Sequence, residues 1–136
     1  MFKRDRMLFG IEKIGQVLAK IIGLKQQGEL QKAHELSEQC VSEEFLLSES
    51  YLDTVSPEEF GAWLVTQNYP AEKLDLLAQL LFERAHPFED VQPVINRLHL
   101  VLVIFKVLEE DHHIQSLTNL SKRDMIDKFL NNQQYE

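Results

Sequence analysis

Two Glu-x-x-His pairs have the residue types and spacing for metal chemistry. Glu83 precedes His86, and Glu109 precedes His112. Carboxylate-bridged di-iron bundles use two such pairs together with a Glu from each of two further helices. Those ligands project into the middle of a bundle, whereas both pairs here fall where helices are predicted to end. A metal-dependent helical-bundle enzyme that uses these four residues is therefore the alternative hypothesis, and we expect no metal site.

The second pair belongs to the acidic segment "EEDHH", residues 109–113. Common surface residues produce a short pattern of this kind by chance. We therefore expect a solvated connection between two helices at this point, although such a cluster could also bind a divalent cation.

Cys40 and His99 are the other side chains that could take part in catalysis. Cys40 lies on the apolar stripe of a predicted helix, where a buried cysteine acts as a small hydrophobe with a raised pKa. His99 lies in the most apolar helix, where we expect a hydrogen-bonded histidine in the core or at its edge. The sequence contains no Gly-x-Ser-x-Gly motif, phosphate-binding glycine loop or dinucleotide fingerprint. We therefore expect no catalytic residue, no cofactor and no enzyme.

The composition is that of one acidic globular domain, residues 1–136. A chain of 136 residues with 44% hydrophobic content has the usual size of a single domain. Its net charge of −8 disfavours nucleic-acid binding, because phosphates must be met by a surplus of Lys and Arg. A single cysteine permits no intramolecular disulfide, and the amino terminus lacks the pattern of a secretory signal. These features predict a cytoplasmic protein.

The charge is distributed unevenly along the chain. Residues 1–25 contain six basic and two acidic side chains, a net charge of +4, which leaves −12 for the rest of a chain of −8. We expect a basic first helix to lie on an acidic body. The opening "MFKRDRM" could bind a membrane surface, but its apolar stripe continues to Ile22 as a core face. The longest apolar run, from Val94 to Leu108, is too short to cross a bilayer, so we expect no membrane role.

Apolar residues recur at helical spacing through most of the chain. The first helix is predicted to end near Gln27, because Gly28 can adopt the left-handed conformation that closes a helix. The predicted buried stripes include Ile22 in the first helix, Leu30, Ala33 and Cys40 in the second, and Met125, Ile126 and Phe129 in the last. The later helices are predicted to start at the Ser56 cap, at Tyr69 and Pro70, at the Asp90 cap and at the Ser121 cap. The helix that Tyr69 and Pro70 open is predicted to end at His86. The second helix should span Glu29 to Glu43, the last should end at Leu130, and residues 131–136 should fray.

The stretch "GLKQQGELQKAHELSEQC", residues 23–40, resembles the second half of a tetratricopeptide unit. Ala33 stands where that repeat needs a small residue for a close helix crossing, and Gly28 lies in the preceding turn. A second copy about 34 residues later would place Gln67 at the position of Ala33, so the period is absent. A weaker echo follows 84 residues after the first unit, where Leu117 replaces Ala33. This resemblance implies a tetratricopeptide-like bundle of about five to seven helices that binds a protein or peptide in a groove.

The whole chain also resembles a small family of bacterial all-helical proteins of unknown function. The segments that carry this resemblance are "FKRD", "IEKIGQVLAKIIGLKQQG", the helix of Ala33, "SPEEF" and "PAEKLDLLAQLL". The resemblance implies the helical fold and leaves the function open. We therefore predict an interaction module with an unidentified protein or peptide partner, and a homodimer is a further possibility.

Overall fold

The computed structural model describes residues 2–134, and it describes side chains for residues 10–132. Within residues 2–134 the chain forms seven α-helices and no strand. The helices are α1 (Phe2–Gln26), α2 (Leu30–Phe45), α3 (Glu49–Thr54), α4 (Pro57–Gln67), α5 (Ala71–Ala85), α6 (Gln92–Asp111) and α7 (Leu117–Gln134). The predicted all-α bundle of five to seven helices is confirmed.

The first two helices form the predicted hairpin around Gly28. Gly28 has a φ of 79°, in the left-handed region that glycine adopts without steric cost. The N–H of Glu29 donates to the carbonyl of Leu24 at 2.9 Å, which closes the end of α1. Ala33 is fully buried, and α2 packs against both α1 and α5. The small residue therefore lies where helices approach one another.

The fifth and sixth helices form the centre of the bundle. They pack against each other, α1 and α2 both contact α5, and α3, α4 and α7 contact α6. The side chains of α5 from Leu77 to Phe82 are all buried because neighbours surround this helix. The Val94–Leu108 segment, which is rich in Val and Ile, is helical throughout, as its period predicted.

The predicted start of α4 is confirmed, whereas the predicted cap of α6 is wrong. Ser56 Oγ accepts a hydrogen bond from the Glu59 N–H at 3.1 Å, and Pro57 occupies the first turn of α4, as predicted. The predicted Asp90 cap is wrong, because the residue that precedes α6 is Val91, without a side-chain cap bond. Pro93 lies in the first turn of α6, a position that suits its fixed φ and missing N–H.

The last helix begins earlier and ends later than predicted. It starts at Leu117, and Ser116 Oγ accepts from the Asn119 N–H at 3.0 Å. The predicted cap, Ser121, therefore lies inside the helix, because an equally suitable serine precedes it by about one turn. Residues 131–134 are helical rather than frayed, and residues 135 and 136 lie outside the described part of the chain.

One helix, α3, was absent from the sequence-based prediction. It has six residues, Glu49–Thr54, and the Ser48 side chain caps it by accepting from the Tyr51 N–H at 3.1 Å. A helix of this length shows too little apolar periodicity to be recognised. The sixth helix holds it in place, because Asn96 Nδ2 donates to the carbonyls of Leu52 at 2.6 Å and Val55 at 3.2 Å.

Candidate binding groove

An open hollow of about 590 Å³ lies between α1, α2, α5 and α7, and we call it the apolar groove. Its lining residues are Ile22, Lys25, Gln26, Leu30, Phe82, Glu83, His86, Pro87 and Met125. Four helices and the connection that follows α5 contribute to it. Residues that are far apart in the sequence therefore build one surface.

Three aliphatic side chains in the lining are partly exposed. Ile22, Leu30 and Met125 are 39%, 37% and 41% exposed, although the sequence placed all three on buried stripes. This corrects the prediction for these positions. Neighbouring helices cover only part of each apolar stripe. Helical periodicity identifies an apolar face, but it does not show how much of that face other helices will bury. The uncovered edges of three helices meet in the groove.

Lys25 joins α1 to the end of α5 beside the groove. Its ammonium donates to Glu83 Oε1 at 3.0 Å, to the Glu83 carbonyl at 3.1 Å and to the His86 carbonyl at 2.9 Å. Carbonyls at the end of a helix lack partners within the helix, so Lys25 acts as a C-terminal cap supplied by another helix. Its side chain is only 13% exposed. The Lys25–Glu83 pair is one contact between a basic residue of α1 and an acidic residue of α5. The basic opening "MFKRDRM" lies outside the residues whose side chains are described.

Aromatic rings stabilise the end of the groove formed by the α5–α6 connection. The His86 ring stacks on Phe82 with centroids 5.8 Å apart and meets Phe88 edge to face at 5.3 Å. The His86–Pro87 peptide bond is cis. Burial lowers the pKa of His86, and the adjacent ammonium of Lys25 lowers it further. The imidazole is therefore neutral at pH 7 and contributes an uncharged aromatic surface.

Lys122 lies beside this aromatic cluster on α7. Its ammonium is 4.8 Å from the centre of the Phe82 ring and contacts Gln79 Oε1. Burial lowers the pKa of Lys122, against the attraction of Glu83 and Asp75. Among the side chains of residues 10–132, no carboxylate lies within ion-pair distance of this ammonium.

The same side of α7 is attached to α5 by a polar network. Gln79 Nε2 donates to Asn119 Oδ1 at 2.8 Å, and Asn119 Nδ2 donates to Asp75 Oδ1 at 2.8 Å. These bonds position α7 beside α5, and so they position Met125 and Lys122 at the groove.

A second charged cluster connects α2, α3, α5 and α6. The Arg97 guanidinium, 4% exposed, binds Glu49 Oε2 at 2.6 Å and Asp53 Oδ1 at 2.7 Å. Arg84 Nε binds Glu38 Oε1 at 2.7 Å and lies 3.3 Å from Glu49 Oε1. Burial raises the pKa of Glu49, and the neighbouring Glu38 raises it further. This cluster fixes α3 on α6, since both carboxylates that meet Arg97 belong to α3.

The four residues of the metal hypothesis are engaged in separate places. Glu83 binds Lys25 in the apolar groove, whereas Glu109 Oε1 accepts from Arg123 at 2.8 Å. The hydrogen bond from Arg123 lowers the pKa of Glu109, and His112 lines a different hollow, between α4 and α6. No three His, Cys, Asp or Glu side chains in the described part of the chain are grouped so that they could share a metal ion. The structure therefore does not assemble the di-iron arrangement, nor a cation site in the "EEDHH" turn.

The prediction for Cys40 is confirmed, whereas the prediction for His99 is wrong. Cys40 is 5% exposed, and burial raises the pKa of its thiol to about 11, which confirms the predicted hydrophobic role. His99 is exposed rather than at the core. It shares the outer side of α6 with Lys106, while its neighbours Leu98 and Leu100 are buried.

Lys25, Lys122 and Arg97 are important residues that sequence reasoning missed as sites. Arg97 offered a signal, because a charge inside an apolar helix is seldom buried unless it is paired. Lys25 offered only a weak one, as a basic residue in the last turn of α1. Its partner Glu83 is 58 positions away, so no local pattern connects them.

The fold and the groove define this chain as an all-helical bundle with an open apolar groove on one side. Comparisons with family models, curated proteins and solved structures give no match. The resemblance to tetratricopeptide proteins and to the bacterial helical family therefore stays a prediction. Across residues 2–134, none of the helices combines the length and apolar character needed to cross a bilayer.

Proposed function

We propose that this chain is a non-catalytic interaction module that binds a segment of a partner protein in the apolar groove. One observation carries the proposal. Ile22, Leu30 and Met125 belong to the apolar stripes of three helices, yet each is about two-fifths exposed where the stripes converge. A bound partner would bury the part of each apolar stripe that the neighbouring helices leave exposed.

The grouping of these side chains distinguishes them from other exposed apolar residues. Single exposed hydrophobic residues such as Val65 are normal on a protein surface, whereas a contiguous apolar patch marks an interaction site. Covering the exposed part of each of the three side chains would contribute roughly 1 kcal/mol. Together, the three side chains would supply a substantial part of the binding free energy of a transient complex.

The groove is also held in shape before any partner arrives. Lys25 connects α1 to α5, and the rings of Phe82, His86 and Phe88 pack against one another. A preorganised surface loses less conformational entropy on binding than a flexible one. The fixed walls therefore support a docking role.

The proposal includes a cytoplasmic location and excludes nucleic acid as the partner. The first rests on the single cysteine, and the second on the net charge of −8. A homodimer is the competing occupant, and it is tested with the inference below.

Affinity capture from native-host extract tests the function with two matched variants. Leu30→Asp places a charge in the groove at the first residue of α2, where the helix dipole favours an acidic side chain. Leu120→Asp is the control, because Leu120 is also 37% exposed in the first turns of a helix but lines a different hollow.

We expect a protein that binds wild type and Leu120→Asp but not Leu30→Asp, as identified by cross-linking and mass spectrometry. Identical captured proteins for all three chains would contradict binding in the groove. Circular dichroism spectra of the variants should match wild type, which separates loss of binding from loss of folding.

A further inference from the structure

A lysine without an ion-pair partner among the described side chains lies beside the apolar groove. Within the lining, the Lys25 ammonium is neutralised by Glu83, and His86 is neutral. Lys122 adds a positive charge over the face of Phe82, which itself lines the groove. Across the side chains of residues 10–132, this cation has no carboxylate within ion-pair distance, although Glu83 and Asp75 attract it from farther away.

The Lys122 ammonium is poorly compensated in the isolated chain. It contacts the neutral Gln79 and the Phe82 ring, while Glu83 and Asp75 act from beyond ion-pair distance. A half-buried ammonium has lost part of its hydration, so a carboxylate brought to it gains more than it would at a fully exposed lysine. A carboxylate from a partner would supply the ion pair that the Lys122 ammonium lacks.

We propose that the occupant of the apolar groove is an amphipathic helix of a partner protein, whose apolar stripe contacts Ile22, Leu30 and Met125 and whose acidic flank meets Lys122. This inference rests on the proposed function and specifies the chemistry of the partner. An amphipathic helix in a groove presents apolar anchors at positions i, i+3, i+4 and i+7.

The shape of the groove favours a helix over a small molecule. Small-molecule sites enclose most of the ligand surface, whereas the three aliphatic side chains here remain open to solvent along the groove. No carboxylate in the described part of the chain lies within ion-pair distance of Lys122, so charge complementarity at this position favours an acidic segment. A second copy of this chain is the competing occupant, and sedimentation velocity distinguishes the two.

Two synthetic peptides of about 18 residues, long enough to be partly helical, test the inference. Both carry leucines at i, i+3, i+4 and i+7, and they differ at one flanking position, which is Glu in one peptide and Lys in the other. Fluorescence anisotropy measures their affinity for wild type, Lys122→Met and the control Lys106→Met. Methyl NMR signals of Ile22, Leu30 and Met125 show whether either peptide occupies the groove.

We expect the Glu peptide to bind wild type about tenfold more tightly than the Lys peptide, the change that one charge-assisted contact produces. Lys122→Met should remove this difference, because methionine keeps an apolar stem over Phe82 and loses the charge. Lys106→Met should preserve it, because Lys106 is exposed on α6.

The opposite results are distinguishable from failure of the proposed function. Equal affinity of both peptides, with shifted groove methyl signals, would overturn the acidic partner while leaving a binding groove. Unshifted methyl signals with both peptides would contradict binding of a helix in the groove. The capture experiment with Leu30→Asp would then test whether any partner binds in the groove. Sedimentation velocity should show a monomer, and a dimer abolished by Leu30→Asp would identify a second copy as the occupant and overturn the inference.

Discussion

Single cations have large structural roles in this protein because they are buried beside backbone carbonyls or carboxylates. Lys25 satisfies two carbonyls and one carboxylate at the end of α5. Arg97 holds two carboxylates of α3. Such residues are costly to replace, because removal of one partner leaves buried polar groups without a hydrogen bond.

Lys25→Met should destabilise the fold by about 2 kcal/mol, since it keeps the apolar stem and removes three hydrogen bonds. Chemical denaturation measures the change in the free energy of unfolding. Lys20→Met is the control, because Lys20 is exposed on the same helix. Equal denaturation midpoints for the two variants would contradict a structural role for Lys25.

Cys40 should resist alkylation in the folded protein. Burial raises the pKa of its thiol from 9.0 to about 11, so at pH 8 only about one thiol in a thousand is ionised. Iodoacetamide labelling followed by mass spectrometry should be slow in buffer and fast in denaturant.

The same shift has a consequence for stability. The unfolded thiol ionises at lower pH than the folded one, so its contribution to stability is complete below pH 9 and decreases as the pH rises towards 11. Cys40→Ala should reduce the loss of stability in this alkaline range. Rapid labelling of the native protein at pH 8 would show that the thiol is accessible and would contradict both expectations.

At the scale of elements, the short helix α3 and the last helix α7 depend on contacts made by other helices. The α3 helix has six residues and is fixed by Asn96 and Arg97 of α6. In α7, Ile126 is fully buried, while Phe129 packs against Phe88. Short or lightly packed helices have little stability of their own, so both should unfold locally when those contacts are removed.

Arg97→Met should release α3 and lower the free energy of unfolding by about 2 kcal/mol. Hydrogen exchange at residues 49–54 should become faster, because the carboxylates of Glu49 and Asp53 lose their cation. The exposed Lys106 on the same helix provides the control substitution, Lys106→Met. Unchanged exchange at α3 would mean that Asn96 alone holds this helix.

Ile126→Ala should detach α7 while α5 and α6 keep their protection. The side chain is fully buried, and loss of a buried isoleucine costs about 3 kcal/mol. Hydrogen exchange resolved by mass spectrometry should rise across residues 117–134 more than elsewhere. Leu120→Ala, at a position that is 37% exposed, should have a smaller effect. Equal effects of the two variants would contradict the role given to Ile126.

At the scale of the whole molecule, α5 and α6 connect the other helices through one core. The hairpin of α1 and α2 packs on α5, and the remaining helices pack on α6. Unfolding of the helices on one side of this central pair therefore destabilises the helices on the other side. This arrangement favours cooperative unfolding.

Urea denaturation should show one transition with the same midpoint by two probes. Far-UV circular dichroism reports on all helices, whereas the fluorescence of Trp63, the one tryptophan of the chain, reports on α4. Trp63 stacks on Phe60, which is fully buried in the shared core. An earlier fluorescence transition would show that α4 unfolds independently.

Most of the helical architecture follows from local signals. The Gly28 turn, the Ser56–Pro57 start of α4 and the long apolar period of α6 each act within a few residues. The all-α class was predictable for that reason. Helix α3 and the true start of α7 were not, because a six-residue helix has no period and Ser116 competes with Ser121 as a cap.

The groove depends on contacts between distant parts of the chain. Periodicity showed that Ile22, Leu30 and Met125 belong to apolar faces, but it could not show that neighbouring helices leave them uncovered. The pairing of Lys25 with Glu83 spans 58 positions, and only packing of α1 on α5 brings these charges together. Local propensity thus determines which segments are helices, whereas the fit of those helices determines which apolar edges stay open, because burial is a property of neighbours in space.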